Sequence, residues 1–293
     1  MTTMVASNSI DFRPLRRALR SPKGNLLVVL GLIAVVACLS AGTELVLPRV
    51  MVAVGAAALA DIIVQRFGRR AWIFPTAGIL SGLIVALILS PYDSFIIAPA
   101  TAVLAITSKH IFRARFANIF NPAAFALVVS AVLFGAGHSW WGALPDLGWP
   151  GAVIILAAGT YTANRINKLP MVLVFLGGFY GLFTVASFAG NSTAVASVFR
   201  APDLQAALFF ALFMLDDPPT CPVKYRDQAI YGAIVALFAF GTFEYFGWLY
   251  YTMAGLLVGN AWWAFQRSSR ARQKQRATAT RVPTTGASVR TTR

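Results

Sequence analysis

Two short segments carry the residue types that could do chemistry. The first, Arg115-Phe116-Ala117-Asn118-Ile119-Phe120-Asn121-Pro122-Ala123-Ala124-Phe125, leads from a basic stretch into an apolar run. Asn121 suits a helix N-cap, and Pro122 suits the first helical position, where its missing N–H is not needed. The spacing therefore predicts a helix opening at Pro122. Its N-terminus, with small Ala123 and Ala124 permitting close approach, offers N–H groups and a positive dipole end to a phosphate or an electron-rich ring edge. Capping alone accounts for the same residue types.

The second segment, Leu215-Asp216-Asp217-Pro218-Pro219-Thr220-Cys221-Pro222-Val223-Lys224-Tyr225-Arg226, joins two carboxylates, three prolines and two cations at the end of an apolar run. Carboxylates at membrane depth are costly; they mark ion or proton paths or are paired with a cation. Asp217 and Thr220 can exchange hydrogen bonds with a polar cofactor, or Asp216 or Asp217 pairs with Lys224 or Arg226. Asp61 is expected to pair with Arg66 or a neighbouring loop, Glu244 to sit at an interface or line a cation path, and Asn260 is a lesser polar candidate. Cys38 and Cys221 are expected to be ordinary free thiols. His110 and His138 fall at loop ends far apart in topology, which excludes a bis-His haem site across facing spans. CxxCH, HExxH, Walker and Gly-rich dinucleotide patterns are missing, so the chain reads as neither a hydrolase nor an NTPase.

These segments must be held by membrane helices. The chain is 58% hydrophobic and 12% charged, with a mean hydropathy of +0.68, more apolar surface than a water-soluble fold can hide. Apolar runs predict about ten spans, at 25–42, 45–65, 72–90, 93–109, 118–136, 149–164, 169–190, 203–217, 227–247 and 250–266. Basic residues test that count, because cytoplasmic loops collect Lys and Arg. They fall in the N-terminal tail and then at 66–70, 109–115, 165–168, 224–226 and beyond 266; only Arg49 and Arg200 lie elsewhere. An even number of spans with both termini cytoplasmic, in the inner (plasma) membrane, satisfies this alternation. Trp140, Trp141, Trp149 and Trp248 are expected in an external aromatic belt. Residues 1–24 read as a basic cytoplasmic tail without a cleavable signal peptide, 25–266 as the transmembrane domain, and 267–293 as a disordered basic tail whose partner is anionic lipid rather than nucleic acid.

The third and eighth predicted spans share a form. Ser81-Gly82-Leu83 opens a run that ends in Ser90-Pro91-Tyr92-Asp93, and the run at 206–215 ends in Asp216-Asp217-Pro218. As third members of two five-span halves, about 25–136 and 149–266, they predict two inverted repeats, each with a broken helix. Broken helices at membrane depth must line a cavity or be buried in protein. The bland alternative is that Pro91 and Pro218 simply end helices at the surface.

At these positions the sequence resembles the RnfD/NqrB family, membrane subunits of ion-translocating, flavin-dependent electron-transport complexes. The resemblance rests on Phe120-Asn121-Pro122-Ala123-Ala124, on Asp217-Pro218-Pro219-Thr220 followed by Ile230-Tyr231-Gly232, and on Ser81-Gly82-Leu83, and covers roughly residues 25–266. It implies an all-α, ten-helix inverted-repeat fold similar to urea and ammonium channels, partner subunits of an electron-transport complex, and flavin (FMN or riboflavin) at the helix breaks. Asn121, Pro122, Ala123, Asp217, Pro218, Thr220, Tyr231 and Gly232 are the cofactor-binding positions it implies. The family's covalent FMN attachment uses a Thr in a Ser-Gly-Ala-Thr-like loop motif; residues 137–148 contain no Thr, Arg200-Ala201-Pro202-Asp203 replaces a second such stretch, and Asp216 replaces the usual Thr before Asp-Pro. The implied flavin is therefore non-covalent. The competing expectations are a solute channel or transporter on the same scaffold without flavin, and a non-redox scaffold.

Overall fold

A computed structural model describes residues 21–69, 74–114, 117–189 and 192–281. Arg115, Phe116, Arg70, Asn191 and, of the predicted tails, residues 1–20 and 282–293 lie outside the described residues.

The described residues are mostly helical, with one short antiparallel pairing of Arg113–Ala114 with Ala117–Asn118. Helices α1 (Pro22–Ala41), α2 (Thr43–Arg69), α3 (Thr76–Ile88), α4 (Ile97–Ile111) and α5 (Pro122–Phe134) are followed by α6 (Trp149–Arg165), α7 (Leu169–Phe188), the short α8 (Ser192–Val198), α9 (Asp203–Phe213), α10 (Tyr225–Phe246) and α11 (Tyr251–Arg281). Four of them, α1, α2, α7 and α10, are long and apolar enough to cross a membrane; α3, α5 and α9 are shorter apolar helices. This is an all-α fold of the membrane type. The short α8 had no counterpart in the predicted spans.

Local chemistry explains the starts and stops. Ser21 Oγ accepts from the Gly24 N–H at 3.1 Å and Pro22 takes the first turn, so α1 opens as a capped helix. Asn121 caps α5 as its sequence predicts, accepting from the Ala124 N–H at 3.1 Å, and Gly135 ends that helix in the left-handed conformation at φ +62°. At 1.5 Å per residue, α3 and α9 span only about 20 Å and about 16 Å, short of a bilayer core of about 30 Å.

Packing repeats between the halves. Helix α2 packs on α4, α4 on α5 and α1 on α3; likewise α7 packs on α10, α10 on α11 and α6 on α9. Across the halves, α1 meets α6 and α5 meets α11.

The two ends of the bundle differ. One holds Lys23, Lys109, Lys168, Arg267 and Arg270, tied together through the contacts described below; we call it the basic end. At the other, residues 135–148 fold inward instead of lying outside. Ser139 and Trp140 N–H groups donate to the Ile88 carbonyl at 3.0 and 3.2 Å, and Trp141 Nε1 donates to the Ala86 carbonyl at 2.8 Å. These bonds satisfy carbonyls that the early end of α3 leaves without helical donors. Trp140 and Trp141 are consequently only 6% and 5% exposed, which corrects their expected place in an aromatic belt; Trp149, at 76%, is exposed. Pro91 is buried, whereas Tyr92 beside it is 82% exposed and Pro218 of the second break is exposed.

The C-terminal segment differs from expectation as well. Helix α11 continues to Arg281, so 267–281 is helical rather than disordered. Its Ala, Arg, Gln and Lys residues are good helix formers, and two arginines anchor its exit from the bundle. Arg270 clamps Asp227 with bonds of 2.6 and 2.8 Å, and Arg267 binds two loop carbonyls, as shown next.

Candidate functional site

At the basic end, the two segments singled out in the sequence meet. Asn121, the cap of α5, donates through its side chain to the Met214 carbonyl at 3.1 Å, just past the end of α9. Its backbone N–H donates to Asn260 Oδ1 at 2.8 Å, and Asn260 Nδ2 donates to the Thr220 carbonyl at 3.4 Å and the Tyr231 hydroxyl at 2.5 Å. Asn260 is completely buried and joins α5, the broken segment, α10 and α11 in one network. Arg267 adds a second link, donating to the Pro219 carbonyl at 3.3 Å and the Asn118 carbonyl at 3.2 Å.

The broken segment after α9 is internally braced. Thr220 Oγ1 donates to Asp217 Oδ2 at 3.0 Å, and the Thr220 N–H donates to the Asp217 carbonyl at 3.1 Å. Buried Lys168 donates to the Pro222 carbonyl and lies within electrostatic reach of both Asp216 and Asp217. Among the described residues the expected ion pairs of these carboxylates with Lys224 or Arg226 do not form; the cations near them are Lys168 for Asp216 and Lys23, Lys109 and Lys168 for Asp217. Asp61 likewise finds Lys109 (3.3 Å) and the Gly78 N–H (3.3 Å) rather than Arg66. Because Asp61 is almost fully buried, Lys109→Met should cost about 3 kcal/mol by leaving a bare carboxylate inside the bundle. Adding Asp61→Asn should recover most of that loss, as measured by thermal unfolding in detergent.

A cavity open to the outside lies against this network. Its walls include Asn121, Pro122 and Ala123 from α5, Asp216, Asp217 and Pro218 from the break, Ser81 from α3, Lys23 from α1 and Lys109 from α4. Three helix N-termini face it, through Pro22 and Lys23, Ala77, and Pro122 and Ala123. Each such end brings a partial positive charge, although Ser21, Asp61 and Asn121 already accept from the Gly24, Gly78 and Ala124 N–H groups. The carboxylates Asp216 and Asp217 line the same cavity. Asp216 is only 3% exposed and its Oδ2 has no hydrogen-bond partner. A buried polar atom without a partner costs free energy unless something else satisfies it.

The structure thus separates the positions expected to bind a cofactor. Asn121, Pro122, Ala123, Asp217 and Pro218 line the cavity. Thr220 and Tyr231 stand behind it, bracing the wall through Asp217 and Asn260. Gly232 faces elsewhere: a Cβ there would lie 2.7 Å from the Met171 carbonyl oxygen, so this glycine permits close packing of α10 on α7. Asp216, Asn260 and Arg267 carry more of the site than the sequence reading assigned to them. The legible signals were an Asn inside an apolar run and an Arg directly after it. Both free cysteines are buried, as ordinary core thiols are. Among the described residues no cluster of metal-ligating side chains occurs.

Compared with protein-family models and with curated proteins, the chain matches none. Functional assignment rests on the residues of the site.

Proposed function

We propose that the chain is a membrane subunit of an ion-translocating electron-transport complex of the RnfD/NqrB kind, holding a non-covalent flavin in the cavity at the basic end. The observation that carries this reading is that Asn121-Pro122-Ala123 and Asp216-Asp217-Pro218, nearly a hundred positions apart, wall one cavity and share one hydrogen-bond network. The residue types fit the group: the α5 N-terminus offers the Ala123 N–H, and the orphaned Asp216 oxygen offers an acceptor to a ring N–H. A bound flavin would supply electron transfer; the chain's own residues would bind it, orient it against the helix N-termini and the carboxylates that line the cavity, and shield it within the bundle.

Ten spans arranged as inverted repeats belong to the same proposal. In its favour, equivalent helices pair alike in the two halves, the first helices of each half touch, and so do the fifth. A pseudo-two-fold axis gives that pattern, and an odd number of spans per half sets it in the membrane plane. On this arrangement the basic end is cytoplasmic, with anionic lipid around its arginines, and partner subunits deliver or remove electrons.

An absorbance and fluorescence scan of detergent-purified protein, before and after acid denaturation, tests this. We expect flavin peaks from a chromophore that acid releases. Asn121→Leu and Asp217→Leu should each lower its occupancy at least about tenfold in protein that still elutes as folded. Folded protein without flavin after supplementation would move the assignment to a channel or transporter.

A further inference from the structure

Helices α1, α3, α6 and α9 supply Leu26, Ile84, Thr162 and Phe213 to the cavity at the basic end. The same four helices pack around the turn Trp141–Ala143 at the opposite end of the bundle. One junction between the two halves therefore has an open end and a filled one. Little separates them. Leu87, against which Gly142 is seated, lies one turn of α3 beyond Ile84, and Phe209, its ring centroid 6.2 Å from that of Trp140, lies one turn of α9 from Phe213. A turn rises only about 5 Å.

The filled end is closed by the chain's own loop. Besides the bonds that Ser139, Trp140 and Trp141 make to α3, the Tyr250 hydroxyl donates to the Ala136 carbonyl at 2.8 Å. The Gly137 N–H donates to Asp93 Oδ2 at 2.8 Å, and His138 Nε2 donates to the Leu249 carbonyl at 2.7 Å. The fit is bought with local costs. Trp140 and Leu144 hold left-handed backbone, at φ +51° and +62°, which side chains rarely adopt. Ser139 Oγ and His138 Nδ1 are buried without a partner among the described residues. Gly135 and Gly148 flank the segment at positive φ with nothing within 4 Å of a would-be Cβ, so the backbone can swivel at both. Such features describe a wedge held between two hinges.

We propose that residues 136–144 are a plug: they seal one end of a shaft between α1, α3, α6 and α9, so that the cavity opens at the basic end alone. The plug stands whether or not the cavity binds flavin. With it in place Leu87 and Phe209 are completely buried. With it displaced, a single apolar turn separates the cavity from that end, and the Ala86 and Ile88 carbonyls exchange their loop donors for water.

The test uses the full chain in nanodiscs, with Cys38 and Cys221 replaced by alanine, and a charged thiosulfonate as the probe. Leu87→Cys reports from beneath the plug, and Ser81→Cys, on the cavity wall, is the open reference. With the plug intact, Leu87→Cys should react at least about a hundredfold more slowly than Ser81→Cys. Trp141→Phe with Tyr250→Phe deletes two of the plug's bonds and keeps most of its volume. That pair should speed Leu87→Cys at least about tenfold and leave Ser81→Cys within about twofold. Replacing 136–144 by an equally long Gly-Ser segment should erase the difference between the two reporters. Liposomes holding that variant should pass urea at least about tenfold faster than those holding the wild type, which stay as tight as protein-free ones. Equal reactivity of the two reporters with the plug intact would show that the segment seals nothing. A folded Gly-Ser variant that stays urea-tight with Leu87→Cys unreactive would show that no shaft lies beneath it. If the Gly-Ser variant does not fold, the double variant decides: a lower unfolding temperature without faster Leu87→Cys labelling would make 136–144 ordinary core and overturn the plug.

Discussion

Replacing Asn260 by Leu should lower stability by about 3 kcal/mol or more and take ligand binding with it. Leu fills a similar volume, so the loss is one of hydrogen bonding. Asn260 accepts from the Asn121 N–H and donates to the Thr220 carbonyl and the Tyr231 hydroxyl, all within the buried core of the basic end. Removing it orphans at least two groups that neither lipid nor water reaches, at about 1–3 kcal/mol each. It also unties α5 from the segment after α9, so the two cavity walls lose their common anchor. Thermal unfolding in detergent should show the drop, and on the proposed flavin reading occupancy should fall further than in Asp217→Leu. Tyr231→Phe provides the graded control: it removes one member of the network and should cost about 1 kcal/mol. Wild-type stability in Asn260→Leu would show that the network holds nothing together.

The second large effect is steric. Gly82 sits where a Cβ would lie 2.8 Å from the Ala53 carbonyl oxygen and 2.9 Å from the Val54 Cα, and Gly232 meets the Met171 carbonyl oxygen in the same way. Backbone cannot step aside as a flexible side chain can. Gly82→Val and Gly232→Val should therefore push α3 off α2 and α10 off α7, costing about 3 kcal/mol or preventing assembly. Gly241 on α10 has nothing within 4 Å of its would-be Cβ. Gly241→Ala should be neutral or stabilise by up to about 1 kcal/mol, since Ala is the better helix former. Yield and monodispersity of the purified variants, followed by unfolding temperature, separate these cases. Both glycines belong to the motifs that carry the family resemblance, and in this fold their part is contact between helices.

Where the sequence reading succeeded, the determinants were local. The cap at Asn121 needs only its own side chain, Pro122 and the Ala124 N–H. The apolar runs needed only composition, and helices stand at all ten of them. Where the sequence left the outcome open or it failed, the determinants were distant. Asp61, expected to pair with Arg66 or a neighbouring loop, takes Lys109 because α2 packs on α4. Trp140 and Trp141 went inside because α3 stops at Ile88 and leaves carbonyls for them and their neighbours to cap. The tail after residue 266 stayed helical because Arg267 and Arg270 find partners on other elements.

By itself, then, the sequence determined an all-α apolar chain, its helix starts, its two Pro-interrupted segments and the residue types at each. Such features depend on neighbours a few positions away and on solvent preference. Only the tertiary structure decided that Asn121 and the segment after α9 face one cavity, that Asn260 and Arg267 hold them there, and that Asp216 is left with an unpartnered oxygen in its wall. Those facts depend on which helices pack together, and a side chain's partners across a bundle leave no trace in the spacing of its own segment.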